Sequence, residues 1–232
     1  SEGLEGTYRG VYDYNTFTTD EAIIPIRGGD WYDGGFWADL YTHNWAEDSK
    51  PLYDTWKYLY KVIVFSNDGL STIERHKQLL TDEQYKTYKA EVRAIRALYY
   101  YYLMDMFGNI PLVTTVNEDT ENAEQASRPE VYKFIVKELQ EVAPLLPTGH
   151  SNHAGVYYGR VTRSVANFLL AKLMLNGEVY SDANWTDNQR PDGRQTYFTV
   201  DGRQMNIWQA CKHYCDKVTA DGFTLAPDYL SN

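Results

Sequence analysis

Residues 30–37 read DWYDGGFW, and LYTHNW follows at 40–45. Within the first stretch four aromatic rings and two carboxylates, Asp30 and Asp33, share a backbone that Gly34 and Gly35 keep pliable. Flat rings offer apolar faces, and ionised carboxylates are pure hydrogen-bond acceptors. Asp30 with Asp33, or Asp20 with Glu21, could also supply the carboxylate pair that cleaves a glycosidic bond. That chemistry needs a controlled separation and one raised pKa. Neighbouring acids are frequent in a chain with 32 of them and nothing marks these out, so no enzyme is expected. DANWTDN, at 182–188, has acceptors at alternating positions but lacks the loop glycine and closing Glu of a helix–loop–helix calcium site. The two cysteines, Cys211 and Cys215, lie four apart and share one helical face, from which His213 points away. A zinc site needs several converging ligands, so the pair reads as two small core side chains, with a disulfide as the alternative. Neither a metal nor a cofactor is expected.

The composition narrows the partners. Acidic residues outnumber basic ones 32 to 22, for a net charge of -10, and no Lys/Arg cluster with interleaved aromatics is present. Nucleic acid is therefore not an expected partner. The chain is 43% hydrophobic yet has a mean hydropathy of -0.55, because 21 tyrosines and 6 tryptophans are apolar rings with a polar handle. FLLAKLML is the longest apolar run, and Lys172 breaks it, so no spanning helix is expected. The start, SEGLEGTYRGVYDY, already has helical spacing at Leu4, Tyr8, Val11 and Tyr12 and no signal peptide, which suggests that a preceding segment has been removed.

The elements that must position these residues are helices. Between Thr81 and Gly108, Tyr85, Tyr88, Val92, Ile95, Tyr99, Tyr102 and Met106 recur at steps of three and four, predicting a buried stripe. TDEQ gives this helix an N-cap and Gly108 ends it; tyrosines at 99–102 cover every face, so it is expected to be central. Ser127 and Glu130 have capping-box spacing ahead of a second helix whose apolar row is Val131, Ile135, Leu139, Val142 and Leu146. A third, capped by Thr162, carries Val165, Leu169 and Leu173; a fourth runs through WQACKHYCDKVTA to Gly222; another begins at Pro51. Two-residue alternation is scarce, and only the end of NTFTTDEAIIPI, at 15–26, suggests a short strand. With no linker or low-complexity tract, residues 1–232 read as one all-α domain of tetratricopeptide-like helical hairpins with long irregular loops, although no clean 34-residue repeat recurs.

EVRAIRALYYYYLMDMFGNIPLV, residues 91–113, resembles the signature of the SusD/RagB family: Glu and Arg-Ala entering a Tyr-rich helix that ends in Phe-Gly-x-x-Pro-Leu. SRPEVYKFIVKELQEVAPLLP, GRVTRSVANFLLAKLML and WQACKHYCDKVTADGFTLAPDY are similar, in order, to further family segments, and together they cover most of 81–229. The resemblance implies a SusD-like helical arrangement in a surface-exposed lipoprotein of the Bacteroidetes outer membrane. Such a protein binds glycans, delivers them to a SusC-like TonB-dependent transporter and performs no catalysis. The chain lacks the lipidated N-terminal Cys and ends at Asn232, short of the family's usual length. Membrane attachment is thus expected only through an anchor absent from this chain, and a further half would complete the ligand site.

Sugars present apolar C–H faces and polar edges, so rings to stack on and acceptors for paired hydroxyls make DWYDGGFW the candidate site. Trp31, Tyr32 and Trp37 are the stacking candidates, and Asp30 and Asp33 the hydroxyl acceptors. The competing reading is that Trp31, Phe36 and Trp37 only pin the loop to the helices. Tyr157, Tyr158 and Trp185 read as structural loop residues. The alternative function is a helical-repeat interaction module without a sugar site of its own, working through a helix face.

Overall fold

The computed structural model describes residues 10–116 and 123–228, so Leu4 and Tyr8 of the expected first helix lie outside the described residues. The chain divides into two compact units, residues 1–63 and 64–232. The fold is all-α, with eight α-helices and two short two-stranded sheets among the described residues.

The first unit holds α1 (Val11–Phe17), α2 (Phe36–Thr42) and the start of α3 (Lys50–Arg75), which continues across the boundary. Val11, Tyr14, Trp37 and Leu40 are buried, with Tyr14 edge-on to Phe36 and Phe17 edge-on to Trp37. The expected strand at the end of NTFTTDEAIIPI does not form. Ile23 and Ile26 are exposed in irregular chain, and the one bridge nearby is a tight turn pairing Arg27 with Asp30.

In the second unit, α4 (Asp82–Phe107) opens on a capping box: the Thr81 hydroxyl accepts from Gln84 N–H at 3.1 Å and the Gln84 side chain accepts from Thr81 N–H at 3.0 Å. It ends at Gly108, in a positive-φ conformation that suits glycine. The stripe expected from the large residues is not the buried one. Ala90, Ala94, Ala97, Tyr100, Tyr101 and Met104 are buried on nearly the opposite side, whereas Tyr88 is exposed and Val92, Ile95, Tyr99 and Tyr102 only half-buried. The alanines share their face with Arg93 and Tyr100, whose partners lie on α5 (Arg128–Val142). Small side chains there let two helices approach closely, while tyrosines keep a wettable hydroxyl and tolerate the outer face.

The expected apolar row of α5 is buried, at about 2 kcal/mol for each large side chain, and Leu146 stays buried beyond the helix end. Helix α6 (Arg163–Leu175) starts after Thr162 as expected, but the Thr162 hydroxyl is buried and makes no hydrogen bond among the described residues. Short α7 (Gly177–Tyr180) and α8 (Ile207–Ala220) follow. Helix α4 packs on α5, α5 on α6, and α6 on α8. Strands β1 (Ile110–Pro111) and β2 (Gln125–Ala126) pair antiparallel, as do β3 (Tyr197–Val200) and β4 (Arg203–Asn206). Asp201 and Gly202, both at positive φ, make the tight β3–β4 turn. On α8, Cys211 is half-buried and Cys215 exposed, both as free thiols, so the expectation of two core cysteines is corrected.

The Arg-Ala motif explains how α4 fixes its neighbours. Arg93 donates to both Glu138 oxygens and to Glu141, and Arg96 donates to Glu138 at 2.8 Å, to Asn67 at 2.8 Å and to the Thr114 carbonyl at 2.7 Å. The Tyr100 hydroxyl donates to the Val113 carbonyl and accepts from Val113 N–H. One buried ionic cluster thus ties α3, α4, α5 and the segment after β1 together.

Candidate functional site

The DWYDGGFW stretch folds locally because its backbone enters the left-handed region four times. Trp31 (φ 61°), Asp33 (φ 40°), Gly34 (φ 69°) and Gly35 (φ 92°) bend it through a 3-10 turn at 33–35 and into α2. Glycine adopts such angles freely. A tryptophan does so at a cost of about 1–2 kcal/mol, and residues held in this way concentrate at ligand clamps.

The turn sorts the six side chains into two groups. Trp37, 7% exposed, is buried on α2 and donates its indole N–H to Asp33 Oδ2 at 2.6 Å. Phe36, Phe17 and Trp31 surround it edge-on at 4.9, 5.3 and 6.3 Å. The expectation that Trp37 offers a stacking face therefore changes: in this arrangement it is the anchor, and Asp33 holds it. Trp31 and Tyr32 are 55% and 58% exposed, and Trp31 is braced along one edge by Trp37. Asp30 is exposed, its backbone closing the turn with Arg27.

Beside this turn, within the first unit, lies an open pocket of about 290 Å³, whose walls include Asp33, Phe36, Asp39, Trp45 and Lys50. Trp45, 45% exposed, packs against His43, whose ring nitrogen lies 2.6 Å from the Thr18 carbonyl. Sequence reasoning left Trp45 out although it closes LYTHNW. Its position depends on the end of α2 and the left-handed backbone of His43, neither of which the residue types alone reveal.

The residues read as structural behave unevenly. Tyr157 packs its ring against Gly149, where a Cβ would sit 2.0 Å from a ring carbon, and Arg160 lies over it. Trp185, half exposed, lies under the Arg128 guanidinium at 5.3 Å, and Tyr158 is largely exposed. In DANWTDN the Asp182 carboxylate is occupied by Asn184 N–H and Arg190, and these partners, Asn184 first, hold its pKa low.

The antiparallel helix pairs of the second unit define an all-α helical-hairpin protein. A family described as starch-binding and associating with the outer membrane matches residues 5–175, so the chain belongs to this SusD-like family. It is 27% identical over 194 residues to the starch-binding protein SusD of Bacteroides thetaiotaomicron, covering 78% of this chain and 30% of that protein. Among solved structures it is similar to a laminarin-binding SusD-like protein, with a TM-score of 0.59 and 26% identity over 78% of this chain and 38% of that one. Surface glycan-binding protein A of Bacteroides uniformis gives a TM-score of 0.61 and 26% identity, over 76% and 38%. The chain spans about 30% of the length of the curated relatives it matches.

Proposed function

We propose that the chain binds glycans through an exposed aromatic shelf formed by Trp31 and Tyr32, with Asp30 as a hydroxyl acceptor, and that it performs no catalysis. The observation that carries this reading is Trp31 itself: half exposed, held in left-handed backbone and braced by a buried Trp37 that Asp33 fixes. Trp37 and Asp33 serve as its support. Stacking one ring face on a pyranose contributes about 1–2 kcal/mol by apolar area, and a charged acceptor about 1.5–3 kcal/mol per hydroxyl. A shallow shelf of this kind gives millimolar to micromolar affinity. The names of the starch-binding and laminarin-binding relatives support α- and β-glucans as the first probes. By the same likeness, we place the whole protein at the outer membrane as a surface lipoprotein that passes its ligand to a SusC-like TonB-dependent transporter. Among the described residues no helix is long and apolar enough to cross a membrane.

The test is a titration against soluble starch and laminarin. Binding of either that weakens on Trp31→Ala and Tyr32→Ala supports the shelf; binding unaffected by both substitutions removes it. The second reading, a protein-interaction face, is favoured by the exposed row Phe168, Leu175 and Val179 along α6 and α7. Loss of a protein partner, with glycan binding intact, on Phe168→Ser would establish it.

A further inference from the structure

Helix α6 buries a polar side chain for which the fold has no use. Asn167 is 2% exposed in the helix interior, where asparagine is disfavoured, and no hydrogen bond reaches its amide among the described residues. It is too far from the helix end to cap it, and its amide atoms are not among the fully enclosed unbonded ones, so they face open space rather than the packed interior. The side chain lines a pocket of about 460 Å³ between α5, α6, α8 and the β3–β4 hairpin, wholly within residues 64–232. That volume lies in the range of small-molecule sites.

The other walls carry spare hydrogen-bonding capacity of both kinds. Gln140 donates its amide to the Thr199 carbonyl at 3.0 Å and to the Tyr214 hydroxyl at 2.9 Å, which leaves its carbonyl oxygen and the Tyr214 proton available. The rim is balanced in charge: Arg163 pairs with Asp221, and Lys217 with Asp201 at 2.7 Å. An anionic ligand would meet Asp201 and Asp221, and a cationic one Arg163 and Lys217. A neutral ligand whose groups both donate and accept meets neither penalty. Vicinal hydroxyls match the adjacent acceptor and donor of the Asn167 amide. The Tyr214 ring is 3% exposed, so the pocket offers no face for stacking.

We propose that this pocket is a binding site for a small neutral polyol of single-hexose size, held by its hydroxyl edges through Asn167, Gln140 and Tyr214. It shares no residue with the Trp31–Tyr32 shelf and does not depend on it.

The experiment is a titration of ¹⁵N-labelled protein with D-glucose and myo-inositol, with D-glucuronate as the charged comparator, observing the side-chain amides of Asn167 and Gln140. Saturating shifts of both amides are expected with either neutral polyol in the millimolar range, with weaker response to glucuronate. Asn167→Leu and Asn167→Ala should weaken the polyol at least about tenfold, and Asn167→Leu should not lower Tm because the amide it removes has no hydrogen bond among the described residues. Trp31→Ala should leave this titration unchanged. Absence of saturation with both neutral polyols, preference for glucuronate, unchanged binding in both variants, or a Tm lowered by both substitutions each overturns the proposal. The last would show that the amide is bonded within the folded protein.

Discussion

Trp31 and Trp37 are the same residue type six positions apart, and the turn between them gives them opposite surroundings. Trp37 is fixed by Asp33 and by rings on three sides; Trp31 stands out from that anchor. Trp31→Ala should therefore weaken glucan binding about 5- to 30-fold, the equivalent of about 1–2 kcal/mol, with an unchanged far-UV spectrum. Trp37→Ala should instead destabilise the first unit by about 3–5 kcal/mol, as for a large buried ring. Thermal melts of the two variants separate shelf from anchor, and equal Tm losses would make both anchors. The sequence showed that rings, carboxylates and glycines share one short stretch. It could not show which ring faces inward, because that depends on four left-handed φ values, two of them at residues that rarely adopt them.

At the scale of elements, capping boxes and helix limits were legible because they are local: TDEQ and SRPE place their helix starts within a few residues. The buried face of α4 was not, since both sides of that helix are apolar and the choice is made by α5. The β3–β4 hairpin was missed although Asp201-Gly202, directly after the aromatic and β-branched run Tyr197–Val200, is a turn signal. Tyr100, fully buried and bridging Val113, tests the packing directly: Tyr100→Asp should unfold the second unit by burying an unpaired charge, and an unchanged Tm would refute it. The ionic cluster makes a second prediction. Burial alone would raise the Glu138 carboxyl, but hydrogen bonds from Arg93 and Arg96 outweigh it and hold the group below its ordinary value of 4.5. A carboxylate depressed in the folded state stabilises the fold above its unfolded pKa and loses that contribution as pH falls through the folded value. Tm should therefore drop as pH falls below about 4.5. Glu138→Gln should lower Tm at neutral pH, by about 3 kcal/mol of lost stability, and flatten the acid limb. An acid limb as steep in the variant as in the parent would assign it to other carboxylates.

For the whole molecule, the net charge of -10 separates two ways of holding a polymer. A site built from rings and hydroxyl acceptors acts on a neutral glucan through apolar contact and short hydrogen bonds, neither of which is screened by salt. Capture through the scattered Lys and Arg residues would act on acidic polymers and fade as the Debye length shrinks from about 10 Å at 0.1 M salt to about 3 Å at 1 M. Affinity for soluble starch or laminarin should therefore change less than about twofold across that range, since less than about 0.4 kcal/mol of the interaction is ionic. Affinity electrophoresis or calorimetry at the two salt concentrations reads this directly. A tenfold loss at high salt would show that charge carries the binding, and would remove Trp31 and Tyr32 from its centre even if their substitution has some effect. The same comparison on Asp30→Asn isolates the carboxylate. If it accepts a sugar hydroxyl, the variant should weaken binding about equally at low and high salt, whereas a loss confined to low salt would make Asp30 a source of field and not a contact.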